Sequence, residues 1–353
     1  TTARAILNYV RGDTSNEQQN GGAFRDRFQT LGDIVHASPL HVNGLLYTGA
    51  NDGMLHVFDA STGDELFAYV PKLVFPNLKE LKDPLYTHRY YVDLTPDAED
   101  IYVPAGGAYA DGEDNDLDGD TDEADEMKLK TILVGGLSKG GHGYYALDVT
   151  GFDGSTVFTE GTVASRVMWE YPNPRVMTIT DARCSSEESP IDITTAVPHG
   201  LSVGDTVDIS GVHQDANGTT TVKSVSNDTK FKLNRNCDDD EGSIYGGSGG
   251  TVTEIAPSWA DMGFSYSKPA IVNSQAGYIV MFGNGYNSDT GIAKLIILDL
   301  LTGELLKSID TQKGGCNGLS SPTPMDVDFD GLVDYVYAGD LNGNLWKFDL
   351  TDA

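Results

Sequence analysis

The sequence predicts an all-β protein, because one strand–turn–strand pattern recurs along its length. Residues 47–59 (YTGANDGMLHVFD) and residues 337–349 (YAGDLNGNLWKFD) align without a gap. Each segment places two runs rich in apolar residues around a glycine-bearing turn, which is the pattern of a β-hairpin. Looser copies lie at residues 132–148 and 278–304. The 41 glycines and 17 tyrosines agree with strands joined by tight turns.

These repeats indicate a β-propeller with quinoprotein-like blades, because a single hairpin cannot bury its own apolar face and needs a neighbouring blade. A dipeptide that ends in proline precedes three of the hairpins: Ser38–Pro39, Lys268–Pro269 and Ser321–Pro322. Proline suits the first residue of a strand, where no backbone N–H donor is needed. Four or five blades fit the chain, so we expect the ring to be incomplete within it. A sandwich of unrelated hairpins is the alternative.

One region breaks the repeat. Residues 175–256 contain short β-branched runs separated by Gly and Asn-Gly, which predicts a small, barrel-like β module. A surface loop accepts such an insertion at low thermodynamic cost, so we expect propeller blades on both sides, at 14–174 and 257–353. Residues 1–13 are expected to form a short N-terminal helix, because apolar residues recur there at helical spacing and Gly12 suits a helix end.

Two of the three cysteines lie near the ends of this module. Cys184 and Cys237 would staple it if they formed a disulfide in an exported protein. Two unpaired thiols are the other interpretation, because the sequence does not give their Cα separation. Cys316 has no evident partner, and no cysteine has the neighbouring base that a nucleophile requires.

The negative net charge of the chain argues against two classes of binding partner. A formal net charge of −30 over 353 residues argues against nucleic acid and anionic membranes, which require basic patches. No apolar run approaches the roughly 20 residues that cross a bilayer, so we expect no membrane span. The sequence begins at Thr1 without an initiator Met or a signal peptide, and we therefore expect a processed product or a piece of a longer protein.

The most specific motif is the segment 326–334, which has the pattern D-x-D-x-D-G-x-x-D. Alternating carboxylates followed by glycine allow one loop to place several oxygens around a single hard cation. Calcium fits best, because it accepts six to eight oxygen ligands in flexible geometry. An aspartate-rich turn without an ion is the alternative. The predicted ligands are Asp326, Asp328, Asp330, the carbonyl of Leu332, and Asp334.

A second acidic run, at residues 114–125, also matches the spacing of a calcium loop, with Gly119 at the turn position. Two helices do not flank it, so an EF-hand is not expected. A solvated acidic loop is the alternative, because blocks of like charge are often disordered. The predicted ligands are Asp114, Asp116, Asp118, Asp120, Asp122 and Asp125.

Several of these motifs together resemble one family. Residues 8–13, residues 24–39, the turn at 49–53 and the loop 326–334 running into 335–340 are similar to the C-terminal β-propeller of PilY/PilC-type proteins, the type IV pilus tip-associated adhesins. The inserted module is not a general feature of that family. The resemblance covers most of the chain outside the module.

The resemblance implies a function and a location. It implies calcium binding by the carboxylates of the 326–334 loop, and a role in surface attachment and in calcium-dependent control of pilus extension, retraction and twitching motility. It further implies minor pilins or the pilus tip as partners, together with a host or abiotic surface. The expected location is extracellular, at the pilus tip or on the bacterial cell surface.

Two other functions are alternatives to this one. A quinone-dependent dehydrogenase would need an aromatic-lined cofactor pocket, whereas Trp169, Trp259 and Trp346 are single and scattered in the sequence. The seven histidines show no H-E-x-x-H spacing, and no G-x-S-x-G elbow is present, so we expect no enzymatic activity. A scaffold propeller of the cell envelope is the remaining alternative.

Overall fold

The computed structural model describes most of the chain: residues 3–104, 127–172, 176–184, 189–196, 199, 201, 203–212, 215–237, 250–255 and 260–351. The chain divides into two compact units. We call Thr1–Tyr171 with Asp261–Ala353 the propeller unit, and Pro172–Ala260 the barrel unit. Among the described residues, no helix is both long and apolar enough to cross a membrane.

The first half of the propeller unit contains two four-stranded antiparallel sheets, in which each strand pairs with the next along the chain. Sheet 1 consists of β1 (Leu40–Val42), β2 (Leu45–Gly49), β3 (Leu55–Asp59) and β4 (Glu65–Tyr69). Sheet 2 consists of β5 (Asp97–Pro104), β6 (Met127–Gly136), β7 (Tyr144–Asp148) and β8 (Val167–Tyr171). Three helices accompany them: α1 (Ala3–Val10), α2 (Phe75–Leu78) and α3 (Glu160–Ala164).

The barrel unit is a closed six-stranded barrel in the order β10-β13-β12-β11-β14-β9. Its strands are β9 (Val176–Arg183), β10 (Pro190–Thr195), β11 (Thr206–Ser210), β12 (Gly218–Asn227), β13 (Lys230–Asn236) and β14 (Thr251–Ile255). Closure pairs both edges of the sheet, so none of these six strands has an unpaired edge. Cys184 and Cys237 form a disulfide with a Cα–Cα separation of 6.1 Å, whereas Cys316 is an exposed free thiol.

The second half of the propeller unit contains two further antiparallel sheets. Sheet 3 consists of β15 (Ala270–Ser274), β16 (Gly277–Gly283), β17 (Lys294–Asp299) and β18 (Leu305–Asp310). Sheet 4 consists of β19 (Thr323–Met325), β20 (Tyr335–Gly339) and β21 (Leu345–Asp349). The prediction of an all-β propeller with an inserted small barrel and a short N-terminal helix is therefore confirmed.

The propeller core lies between consecutive sheets, because side chains alternate between the two faces of a strand. In sheet 2, Leu133 and Leu147 belong to the apolar cluster shared with sheet 1, whereas Ile132 and Ala146 belong to the cluster shared with sheet 3. A third cluster joins sheets 3 and 4. Each sheet of the series therefore buries its apolar residues against the next, as blades do.

Because consecutive strands in each sheet run antiparallel, the loops that connect them lie alternately at the two ends of the sheet. In each sheet, the start of the first strand, the end of the second and the start of the third lie at the same end of the sheet. We call this end the upper end. The end of the first strand and the start of the second lie at the opposite end of the sheet, which we call the lower end. The loop 326–334 joins β19 to β20 and is thus at the lower end of sheet 4.

Candidate metal centre

The loop 326–334 brings three of its predicted ligands together. One carboxylate oxygen from each of Asp326, Asp328 and Asp334 lies within 4.8 Å of the others. Asp326 and Asp334 are half-buried, and Asp328 is exposed. Three hard oxygen donors therefore converge on one point that is open to solvent on the side of Asp328.

Backbone N–H groups of the loop hold these carboxylates in place. Asp326 accepts hydrogen bonds from Phe329 N (2.6 Å) and Gly331 N (2.9 Å), and Asp334 accepts one from Val327 N (2.7 Å). Phe329 and Gly331 adopt left-handed conformations with φ of 63° and 87°. Glycine takes this conformation at no steric cost, whereas a bulky residue does so at a cost of order 1–3 kcal/mol. Because the Phe329 side chain is 88% exposed, its packing does not offset that cost, and the carboxylate hydrogen bonds stabilise the turn instead.

The loop is tied to two sheets. Asp334 N donates to Met325 O (3.0 Å) on β19, and Leu350 N, directly after β21, donates to Asp334 O (2.8 Å), so Asp334 is joined to both neighbours of β20. Val333 is buried, and its N–H donates to Asn273 O on β15 (2.9 Å). The conformation of the loop and the contact between sheets 3 and 4 are therefore linked through Asn273.

Asp330, a fourth predicted ligand, is placed differently. The carboxylate of Asp330 is exposed and accepts a hydrogen bond from Leu332 N at 2.8 Å, and it does not lie within the group of three converging oxygens. Asp330 N donates to Asp328 Oδ1 at 3.3 Å, so the two carboxylates are adjacent along the turn.

The donor set fits a hard divalent cation. Three like charges separated by up to 4.8 Å repel one another by about 1 to 3 kcal/mol per pair, depending on the effective dielectric. Among the described residues, no basic side chain pairs with Asp326, Asp328 or Asp334, so no positively charged side chain offsets that repulsion. Calcium prefers carboxylate, carbonyl and water oxygens, and a site open to solvent leaves room for water ligands.

The second predicted loop lies between β5 and β6 in the sequence, as the first lies between β19 and β20. Its candidate ligands fall outside the described residues: Asp114, Asp116, Asp118, Asp120, Asp122 and Asp125.

The structure also contains a charged cluster that the sequence did not predict. His56 is 3% exposed; its Nε2 lies 3.0 Å from Asp52 Oδ2 and its Nδ1 lies 2.6 Å from Glu65 Oε1. Burial disfavours the charged ring, but hydrogen bonds with the two carboxylates outweigh it and raise the pKa of His56 to about 9. His56 is thus an internal cation that neutralises two acids. No sequence spacing marks this cluster, because β-pairing brings Glu65 to the histidine.

The family model of the PilY1 β-propeller domain matches residues 32–172 and 254–353. The chain belongs to the PilY1 β-propeller domain family. The resemblance identified in the sequence is therefore confirmed, and the unmatched residues between the two ranges coincide with most of the barrel unit.

Similar PilY1 proteins occur in two genera. A type IV pilus biogenesis factor PilY1 homolog of Xylella fastidiosa (strain Temecula1) is 31% identical over 376 residues, which cover 98% of this chain and 21% of the relative. The type IV pilus biogenesis factor PilY1 of Pseudomonas aeruginosa (strain UCBPP-PA14) is 29% identical over 379 residues, which cover 98% of this chain and 22% of the relative. The chain thus spans about a fifth of the length of these relatives. They are named as pilus biogenesis factors, not as enzymes.

A solved PilY1 structure is also similar to this chain. The crystal structure of the Pseudomonas aeruginosa PilY1 C-terminal domain is 27% identical, with a TM-score of 0.45. The similarity covers 87% of this chain and 38% of that one.

Proposed function

We propose that this chain is the calcium-binding β-propeller of a type IV pilus biogenesis factor, and that it acts without catalysis. In this proposal it serves surface attachment and the calcium-dependent control of pilus extension, retraction and twitching motility. Its partners are minor pilins or the pilus tip and a host or abiotic surface, at an extracellular location. The observation that carries the proposal is the convergence of Asp326, Asp328 and Asp334 within one loop.

The contacts of the loop explain how calcium would act. The ion supplies positive charge among the three carboxylates and removes their mutual repulsion. Asp326 and Asp334 already orient the backbone N–H groups of the turn, so the loop needs little rearrangement to present its oxygens. Because Val333 in the same loop donates to Asn273 O, a fixed loop stabilises the packing of sheet 4 on sheet 3.

The proposal includes the ligands that do not converge in this structure. Asp330 and the carbonyl of Leu332 are proposed to complete the coordination, since a rotation of the exposed Asp330 side chain costs only its hydrogen bond to Leu332 N. The acidic run 114–125 is proposed as a second calcium loop on the strength of its spacing alone.

Calorimetric titration of the chelator-treated protein with calcium tests the metal site. Asp328→Asn is the sharpest variant, because Asp328 is exposed and the hydrogen bonds that hold Asp326 and Asp334 do not involve it. We expect this variant to weaken calcium binding at the 326–334 loop at least tenfold. Asp64→Asn is the matched control, since Asp64 is an exposed aspartate of a β-turn whose side chain makes no hydrogen bond with the described residues.

The same titration separates the two loops. Asp118→Ala removes a ligand from the second run only, so two binding events in the unmodified protein should reduce to one in each single-loop variant. Absence of binding at millimolar calcium, or equal affinity for the Asp328→Asn and unmodified proteins, would refute the assignment of the 326–334 loop.

Twitching and attachment assays test the biological role. A strain that carries Asp328→Asn in the full-length protein should lose the calcium dependence of twitching and surface attachment, whereas Asp64→Asn should retain it. Normal calcium responses in the Asp328→Asn strain, with calcium binding shown to be lost, would separate metal binding from pilus control and overturn the functional part of the proposal.

A further inference from the structure

A second candidate site lies at the upper end of the propeller unit and consists of aromatic side chains. Tyr266 and Tyr286 lie 5.1 Å apart between ring centroids at an interplanar angle of 32°, and Phe264 lies 6.3 Å from Tyr266. Tyr90 lies near this group, because Lys139 Nζ is 4.7 Å from the centre of its ring and the adjacent Ser138 pairs with Ser265. We call Tyr90, Phe264, Tyr266 and Tyr286 the aromatic patch.

The strand order explains why these residues meet. Tyr90 precedes β5 and Phe264 and Tyr266 precede β15, so all three approach the first strand of a sheet. Tyr286 follows β16 in the connection to β17, which also lies at the upper end. Residues far apart in sequence therefore share one surface, opposite the end that carries the 326–334 loop.

Buried polar residues hold the patch rigidly. The hydroxyl of Ser265, which is fully buried, accepts hydrogen bonds from Leu137 N (3.2 Å) and Gly143 N (3.3 Å) and donates to Gly141 O (3.1 Å). It thereby fastens the β6–β7 connection to the segment that carries Phe264 and Tyr266. Gly285 permits the approach on the other side, because a Cβ there would lie 1.9 Å from Phe264 O. The patch is thus formed before any ligand arrives.

Hydrogen-bonding groups surround the aromatic faces. His36 Nδ1 lies 2.6 Å from the buried carboxylate of Asp93, and the His36 ring lies 5.5 Å from that of Tyr90. Lys139 Nζ is 4.7 Å from the centre of the Tyr90 ring. His142 contacts Phe264 edge to face at 4.7 Å. Imidazole, ammonium and aromatic groups are therefore presented together on one half-buried surface.

The tyrosine hydroxyls of the patch differ from those of Tyr69 and Tyr144 in the same unit. Tyr69 OH donates to Glu170 and Tyr144 OH to Ser267 O, so these hydroxyls are used within the protein. Within the described residues, the hydroxyls of Tyr90, Tyr266 and Tyr286 have no hydrogen-bond partner and remain half-exposed. They are free to donate to, and accept from, a ligand.

We propose that the aromatic patch binds a saccharide. A pyranose ring presents an apolar C–H face, which fits an aromatic ring, and hydroxyl groups at its edge, which fit unpaired tyrosine hydroxyls and imidazoles. Tyrosine supplies rigid, amphipathic contact area at low cost in conformational entropy. Nucleic acid does not fit, because the chain carries a net charge of −30. Lys139 would contact a carboxylate if the sugar is acidic.

Saturation-transfer NMR and calorimetry with two probes test this proposal. Chitotriose is the neutral probe and 3′-sialyllactose the acidic one, so their relative affinities show whether Lys139 selects a carboxylate. We expect at least one probe to bind with a millimolar or lower Kd. Tyr266→Ala should weaken that binding at least tenfold, and Tyr286→Phe, which removes only a hydroxyl, should weaken it about 2- to 10-fold.

Tyr102→Ala is the matched control, because Tyr102 is a 56% exposed tyrosine of β5 outside the patch. It should leave saccharide binding unchanged. Failure of both probes to bind at millimolar concentration would overturn the proposal, as would binding that survives both patch variants. If patch variants instead lose attachment to a protein-coated surface while neither sugar binds, the patch is a protein-docking surface and the saccharide assignment is wrong. The proposal does not rest on the calcium site, since each experiment has its own ligand and variants.

Discussion

Replacing His56 with glutamine removes a buried cation that lies between two carboxylates. Asp52 is 8% exposed and accepts hydrogen bonds from Gly32 N (2.6 Å) and Met54 N (3.2 Å) in addition to its contact with His56. Glutamine can donate to only one of the two acids at a time. The variant therefore leaves a buried carboxylate short of a partner in sheet 1, which destabilises the propeller unit.

The pKa of His56 sets the size and the sign of the effect. The folded-state pKa, about 9, lies above the ordinary value of 6.5, so the folded state favours the protonated ring. The stabilisation is complete below pH 6.5 and is lost as the pH rises through 9. The difference between the two pKa values corresponds to about 3 kcal/mol, with a slope of about 1.4 kcal/mol per pH unit between them.

Urea unfolding followed by tryptophan fluorescence at pH 6 to 9.5 measures this dependence. A Trp259→Phe background leaves Trp169 and Trp346, which both belong to the propeller unit. The free energy of unfolding of the unmodified protein should fall from pH 6 to pH 9.5. This fall should exceed that of the His56→Gln protein by about 3 kcal/mol. Parallel pH profiles for the two proteins would refute the assignment of His56 as an internal cation.

Three further perturbations have defined outcomes. Gly331→Ala should destabilise the loop by about 1 kcal/mol, because Gly331 has φ of 87°, and it should weaken calcium binding in the same calorimetric titration. Replacing Cys184 and Cys237 with serine opens a loop of 53 residues, so thermal unfolding of the barrel unit should show a loss of about 4 kcal/mol, while the transition of the propeller unit stays unchanged. Phe282→Ala should cost about 3–5 kcal/mol in urea unfolding, because Phe282 is fully buried and stacks on Tyr144 at 3.8 Å; an effect below 1 kcal/mol would contradict the shared core of sheets 2 and 3.

Local patterns in the sequence predicted the blades and the convergence of carboxylates in the 326–334 loop for one reason. In the hairpins 47–59 and 337–349, strand, turn and strand are consecutive, so the residues that pair are also close in sequence. The converging ligands Asp326, Asp328 and Asp334 likewise belong to a single nine-residue segment. Backbone geometry over such short distances leaves few arrangements, and the pattern of residue types is then sufficient.

The features that the sequence left open or did not predict depend on long-range pairing. Cys184 and Cys237 meet because barrel closure brings together residues 53 positions apart, and no spacing rule determines that distance. Tyr90 and Tyr266 share one surface only because two different sheets begin at the same end. The sequence around each histidine or aromatic residue does not show which of them meet, because only the order of the sheets groups them.

The two candidate sites lie at opposite ends of the propeller, yet one strand relates to both. β15 begins four residues after Tyr266, and Asn273 near its other end accepts the hydrogen bond from Val333 in the 326–334 loop. β15 pairs with β16 without a break from Ala270 to Ser274, so this strand itself contains no hinge. Coupling requires an element with two arrangements that each ligand favours differently. We therefore expect calcium removal to leave the saccharide affinity of the aromatic patch unchanged, and a shift of more than about threefold would reveal a second arrangement of β15.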